Sequence, residues 1–390
     1  MSDSKIPNEL ILWHEFDGPG DVSINVIGKI CDMYSERNHI RIKPVVKNIY
    51  EITRFLKRRN GNGNNDRNGV SEFPHMAFLP SDLVMYAYNG RFSVVPEQLY
   101  QGRIDENALS TMIYEGKQFG LPVLGGNHLL LYYNKDIFPS GISDWTELYK
   151  TVGELRSRSI IPISLDLYQM YWILPILSAF GAWPVEGIDP KNIKFDSLKE
   201  AFCFIDKMLD EGILGNCEAS IEMLDKFFDG KIGAIIAGEW SYKYIMENMG
   251  NKAGICGIPD IAGKKCTVTS STLGLMYMGS SLETEFKDYL LGFGEFMLSE
   301  ECQELWMQEV DRIPLIKEVN KKLVQDALGG KKVVLEQLYE SHPLKVSSTS
   351  EELWSTLELG KELFWYRSYE IDEAMDKMKE RIMRHYTMDK

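Results

Sequence analysis

Residues 221–242 read IEMLDKFFDGKIGAIIAGEWSY, and the order of elements in this stretch decides the fold class. Ile221, Leu224, Phe227 and Phe228 recur at helical spacing. Asp229-Gly230 breaks that helix and opens a turn. Ile232 to Ala237 is an apolar run bounded by glycines, the length of a buried strand. Gly238-Glu239-Trp240 ends the strand and sets an indole beyond its carboxyl end, where open α/β sheets bind ligands. The plain alternative is a helix, a turn and a strand with a core tryptophan.

Outward from this stretch, the same alternation continues in both directions. Leu10 to Trp13 is a strand, the polar turn His14 to Asp21 follows, and Val26, Ile27, Ile30 and Tyr34 mark a helix. Ile40 to Val46 is a second strand, so the chain opens with a βαβ unit and parallel strands. Ile49 to Arg59 is a basic helix, and Asn60 to Gly69 is too polar and glycine-rich to bury anything. Phe73 to Pro80 and Leu129 to Asn134 are strands. Trp145 to Arg156 is a helix, Ile160 to Leu165 a strand, and a helix runs to Phe180 with Pro175 in its first turn. Phe195 to Asp210 is a helix in which Ser197 and Glu200 form a capping box. Ala253 to Ile258 and Thr267 to Met278 are strands. Ser280 and Glu283 cap the next helix, a further helix covers Glu300 to Glu309, and the tail is helical.

Composition narrows the function. The 390 residues suffice for two or three domains, and with 44% hydrophobic and 26% charged residues the chain is globular. No apolar run approaches the ~20 residues that span a bilayer. The net charge of −14 and the lack of a basic stripe exclude nucleic acid as a partner. No phosphate-binding loop, nucleophile elbow or zincin motif is present, and six scattered histidines offer no metal set. No catalytic residue, metal or cofactor is expected. Residues 1–7 lack the features of a signal peptide. Cysteines 31, 203, 217, 256, 266 and 302 match no zinc spacing. Cys31, Cys203 and Cys302 lie in helical apolar patterns as small core residues, and Cys256 and Cys266 either bridge a hairpin or stay reduced. Unpaired cysteines fit a reducing compartment.

Several motifs, in order from about residue 9 to 382, resemble the extracellular solute-binding proteins of ABC importers, in the sugar-binding, maltose-binding-protein-like type. They are the LWH strand end at Leu12 to His14, the F-x-x-G-K turn at Phe227 to Lys231, and Gly120-Leu-Pro122 followed by Tyr133-Asn-Lys-Asp136. Trp145-x-Glu-Leu148, Ser299 to Gln303 and Trp354 upstream of Asp372-Glu373-Ala374 complete the set. The resemblance implies an α/β, two-lobed periplasmic-binding-protein-like fold of type II, with mixed sheets flanked by helices and a ligand cleft between the lobes. It places residues 1–126 and 274–330 in an N-terminal lobe and 127–273 and 331–390 in a C-terminal lobe. Crossings fall near 125–128, 270–275 and 315–345, and Gly125-Gly126 suits a hinge.

The same resemblance names ligand-binding residues. Trp240 would stack on a sugar ring. Asp17, with Glu15 second, would contact hydroxyls, unless Asp17 only shapes the turn or caps the helix. Asp82 would accept a hydrogen bond or act as a helix N-cap, and Asn127 would contact the ligand at the first crossing. Tyr171 and Trp172 would line the sugar groove, with Gln169 adding an amide, and Trp354 would be a third aromatic platform. Indole faces bury the C–H face of a pyranose while carboxylates and amides serve its hydroxyls. The implied function is capture of a carbohydrate, or another small molecule, by a monomer that closes on it and delivers it to an ABC permease outside the cytoplasm. The competing reading is a cytosolic protein on this scaffold that binds a peptide, metabolite or protein partner without transport. Leu79 or Pro80 stands where the family has an aromatic, and Asn127 where it has an acid, so maltodextrin itself is not the expected ligand.

Overall fold

The computed structural model describes residues 9–18, 20–57, 73–185 and 189–388. The 60–69 stretch and residues 1–7 lie outside them. Twelve strands are used below, in chain order: β1 Glu9–His14, β2 Arg41–Val46, β3 Met76–Pro80, β4 Leu121–Gly126, β5 Leu129–Asn134, β6 Ile161–Leu165, β7 Leu214–Asn216, β8 Ile232–Gly238, β9 Ala253–Cys256, β10 Thr269–Tyr277, β11 Ile313–Pro314 and β12 His342–Pro343. Helices pack between and around them, so the chain is α/β with mixed sheets. It divides into two compact units. The first holds residues 1–127, 271–327 and 344–348, and the second holds 128–270, 328–343 and 349–390.

In the first unit the strand order is β11-β4-β10-β3-β1-β2. β1 runs parallel to β2, with Glu9 beside Arg41 and His14 beside Val46, and parallel to β3. The intervening helix, Ser23–Asn38, ends at His39, whose left-handed φ of 54° stops it. β10 is antiparallel to both β3 and β4, so Leu273 lies beside Pro80 and Ser271 beside Gly126. Leu10, Leu12, Phe78, Leu121 and Leu275 are buried against Ile27, Phe293 and Trp306. Trp306 lies flat on Phe78, with ring centroids 6.0 Å apart and planes 6° apart.

In the second unit the order is β9-β5-β8-β6-β7. β8 is antiparallel to β5, with Gly238 beside Leu129, and parallel to β6; β6 is parallel to β7. The stretch 221–242 folds as its pattern requires. Ser220 accepts the Met223 N–H and opens the helix Ile221–Phe228, Gly230 turns the chain at φ 72°, and β8 is buried at every position. A strand buried on both faces needs the unbroken apolar run seen there.

Some local expectations fail for definable reasons. The helix Phe195–Asp210 begins two residues before Ser197. Leu198 N–H already closes on the Lys194 carbonyl, so Ser197 and Glu200 form no capping box. Ser280 precedes a single 3₁₀ turn, not the helix Lys287–Met297; the extended residue Thr284 intervenes, and its hydroxyl accepts the Phe286 N–H. Pro80, not Asp82, is the N-cap of the 3₁₀ segment Ser81–Asn89. Cys203 is exposed, one step round the helix from the buried Phe202, whereas Cys31 and Cys302 are buried. Cys256 and Cys266 are both free thiols. Among the described residues, no helix is long and apolar enough to cross a membrane, and no group of three or more His, Cys, Asp and Glu side chains could hold a metal ion.

Candidate functional site

Apart from Trp354, the expected site residues of each unit fall at the end of the sheet where the parallel strands terminate. In the first unit Glu15 and Asp17 follow β1, Asp82 follows β3 and Asn127 follows β4. Because β10 is antiparallel, its starting residues Ser271 and Thr272 reach the same edge. Asn127 adopts φ 46°, next to Gly126 at φ 119°, and its amide donates to Ser271 Oγ at 2.7 Å. Ser81 Oγ accepts the Thr272 N–H at 3.3 Å, and the Thr272 hydroxyl meets that of Thr111 at 2.7 Å. A polar run, Ser270 to Thr272, inside an otherwise apolar strand was the available signal for these partners.

The carboxylates of this edge act on one another. Burial raises the Glu15 carboxyl well above the usual range, and Asp82, Asp17 and Asp21 raise it further, while Arg312 opposes them. Burial also pushes Asp82 up to about 6, against a stabilising bond from its own backbone N–H. Asp17 is exposed yet raised, chiefly by partial burial and then by Asp21 and Glu51, while its own backbone N–H pulls the other way. Burial lowers His14 to about 4, with Asp21 opposing. Beneath this group lies an ion pair that sequence reasoning missed. Arg312 Nη2 donates to Asp21 Oδ2 at 2.7 Å, its Nε donates to Ser23 Oγ at 3.0 Å, and its guanidinium lies over Phe16. The two charged side chains are 4% and 7% exposed. Arg312 and Asp21 stand 291 residues apart in the chain, so no local pattern announces them.

In the second unit, Trp240 follows β8, and Gln169, Tyr171 and Trp172 follow β6. Trp172 is 5% exposed and meets the half-buried Trp240 edge to face, with centroids 6.1 Å apart and planes at 72°. Tyr171 meets Trp172 in the same manner at 5.9 Å and 80°. Gln169 is half-buried at the start of the 3₁₀ turn Met170–Ile173, and its side chain does not cap that turn. Trp354 joins neither ring of the Trp172–Trp240 pair. Its indole packs on Trp183, with centroids 5.7 Å apart and planes at 42°. The helix that carries it, Ser350–Lys361, is nonetheless tied to the aromatic turn, because Glu358, one turn beyond Trp354, accepts the Met170 N–H at 2.9 Å. Sequence reasoning did not find Glu358.

The position of Trp240 depends on Gly238. A Cβ built there would lie 2.3 Å from two atoms of the Trp240 ring, so the indole folds back across the glycine. The backbone beneath is fixed on both sides: Tyr132 donates its hydroxyl to the Gly238 carbonyl at 3.1 Å, and the Glu239 N–H donates to the His128 carbonyl at 3.0 Å. Chemically, the second unit offers flat apolar rings and the first offers carboxyl, hydroxyl and amide groups.

Residues 29–328 match the family model described as bacterial extracellular solute-binding protein. The curated relatives are distant. "Putative binding protein BAB2_0491" of Brucella abortus (strain 2308) is 23% identical over 241 residues, or 57% of this chain and 56% of that protein. A counterpart in Brucella suis biovar 1 (strain 1330) matches to the same extent. Maltodextrin-binding protein MdxE of Bacillus subtilis (strain 168) is 26% identical over 165 residues, or 37% of this chain and 39% of that protein. The chain thus matches about half the length of the first of these relatives and less of the last. The family model covers most of the chain, and its members bind solutes without turning them over. This protein belongs to the bacterial extracellular solute-binding proteins.

Proposed function

We propose that this solute-binding protein captures a carbohydrate, with Trp240, braced edge to face by Trp172, supplying a ring face and Glu15, Asp17, Asp82 and Asn127 serving hydroxyls. The observation that carries this reading is the edge-to-face pair of indoles beyond the carboxyl ends of β6 and β8, one of them drawn across a glycine. Such rings bury the C–H face of a pyranose, and edge-to-face pairing holds them at a fixed angle before any ligand arrives. The relative MdxE, named as a maltodextrin-binding protein, supports a sugar ligand. Delivery to an ABC permease outside the cytoplasm completes the proposal, with movement about Gly125 to Asn127 and β10 accompanying capture.

A second reading rests on the first unit alone. Burial first, and then Asp82, Asp17 and Asp21, raise the Glu15 carboxyl, and a gathering of four carboxyl groups also suits a cationic ligand such as a polyamine. A thermal-shift screen of oligosaccharides, peptides and spermidine separates the two. Ligand at ~100 Kd stabilises the fold by roughly 2.7 kcal/mol. Stabilisation by an oligosaccharide that Trp240→Ala removes supports the carbohydrate reading; stabilisation by spermidine alone overturns it. The mass of the native protein recovered from cells tests export, because a processed or lipidated start would accompany transport.

A further inference from the structure

Beyond Tyr171, Trp172, Trp183, Trp240 and Trp354, the second unit displays two more rings, both on its surface. Tyr168 and Tyr366 are 49% and 45% exposed, yet they stack on each other with centroids 5.8 Å apart and planes 17° apart. Exposed aromatics are ordinarily free to move. These two are held from several directions.

Tyr168 follows β6, at the edge of the sheet that also carries Trp172. The Asp166 carboxylate accepts the Tyr168 N–H at 2.6 Å and the Ala219 N–H at 3.1 Å, clamping the loop. Lys361, whose side chain is 8% exposed, donates to the Tyr168 carbonyl and pairs with Glu358 at 2.5 Å. Glu358 is the residue that also accepts the Met170 N–H. One Glu–Lys pair therefore fixes both the tyrosine loop and the turn that carries Trp172. On the other side, Tyr366 ends a π-helical turn, Glu362–Tyr366, and its hydroxyl reaches the Leu167 carbonyl at 3.4 Å. π-helical turns are rare and concentrate at functional sites.

The sheet order locates the pair. Trp240 lies two residues beyond β8, Tyr168 follows β6, and the Tyr366 hydroxyl is within bonding reach of Asn216, at the end of β7. Tyr168 thus leaves the sheet one strand away from β8, the strand that leads to Trp240, and Tyr366 reaches the end of the strand beyond it, toward the β7 edge.

We propose that Tyr168 and Tyr366 form a second ring-stacking station, which takes an additional sugar residue of an oligosaccharide whose first residue sits on Trp240. Lys361 is a positioning residue for both stations. The inference rests on the carbohydrate reading, and it adds that the ligand is longer than a disaccharide.

The test is calorimetric titration of the full-length protein with α-1,4- and β-1,4-linked glucose oligosaccharides, comparing disaccharide with tetrasaccharide of each linkage. Tyr168→Leu and Tyr366→Leu keep apolar bulk and remove the ring. Each is expected to weaken tetrasaccharide binding about tenfold and disaccharide binding less than twofold. Tyr366→Phe keeps the ring, loses the Leu167 contact and is expected to retain tetrasaccharide affinity within about threefold. Equal losses for both lengths, or none for either, overturn the second station while Trp240→Ala still reports on the first. If neither the unsubstituted protein nor any variant binds either oligosaccharide, the carbohydrate reading itself falls and the station falls with it. A variant that unfolds below the assay temperature is replaced by Tyr168→Gln or Tyr366→Gln, which removes the ring at an exposed position and is expected to weaken the tetrasaccharide more than the disaccharide; equal weakening overturns the proposal.

Discussion

The indole of Trp240 lies directly across the α-carbon of Gly238, so that any Cβ at position 238 would overlap the ring at 2.3 Å. The glycine is there for space, since its backbone is extended, with φ −77° and ψ 160°. Two residues after a buried strand, this contact sets the direction of a ring that nothing in the local hydrogen-bonding pattern controls.

Gly238→Ala is therefore expected to swing Trp240 away from Trp172. The overlap costs about 1–3 kcal/mol, as overpacking generally does. The near-ultraviolet circular dichroism of the indole pair should weaken, and oligosaccharide affinity should fall about tenfold with it. An unchanged spectrum with unchanged affinity would mean that the ring keeps its place by other means and that the glycine is incidental.

The acid–base behaviour of the first unit gives a second prediction, in which two groups act in opposite directions. Asp82 titrates at about 6 in the folded protein, against an ordinary value of 3.8. Its folded form holds the proton more tightly, so its stabilising contribution is complete below pH ~4 and is lost as pH rises to about 6. His14 titrates at about 4, against an ordinary 6.5. Its folded form releases the proton, so stability falls as pH drops from about 6.5 to about 4. The two largely offset each other in the wild-type curve. Asp82→Asn should unmask the histidine: relative to wild type, the variant gains up to about 3 kcal/mol on going from pH 4 to pH 7. Urea unfolding at a series of pH values measures this, and a difference that does not change with pH would sink it.

Arg312 and Asp21 form the buried pair on which this carboxylate edge rests. Arg312→Leu leaves Asp21 without its cation and is expected to cost about 3–5 kcal/mol. It also removes the charge that restrains Glu15, so the Glu15 carboxyl should rise further. Adding Asp21→Asn should recover a large part of the loss, because the uncompensated charge is then gone. Guanidinium unfolding of the two single variants and the double variant forms a cycle; strictly additive losses would show that the two side chains are not coupled.

Much of the scaffold was legible because it is encoded locally. Hydrophobic period and turn chemistry predicted β1, β2, β5, β8 and β10, the parallel βαβ opening, and the helix that precedes β8. Where capping motifs were read too literally, at Ser197 and Ser280, the first backbone bond of the helix formed elsewhere and the serines lost their role. Cys203 illustrates the same limit: a helical apolar pattern tolerates a small residue one step off its buried stripe, and only packing shows on which side it falls.

Of the candidate site, the sequence determined which residues lie where strands end: Glu15, Asp17, Asp82 and Asn127 in one unit, and Gln169, Tyr171, Trp172 and Trp240 in the other. It determined this because strand ends follow from periodicity and turn residues close by. Only the tertiary structure decided which rings meet. Trp240 pairs with Trp172, Trp354 with Trp183 and Tyr168 with Tyr366, and Arg312 reaches Asp21, because sheet order and close approach at Gly238 bring together segments that share no local signal.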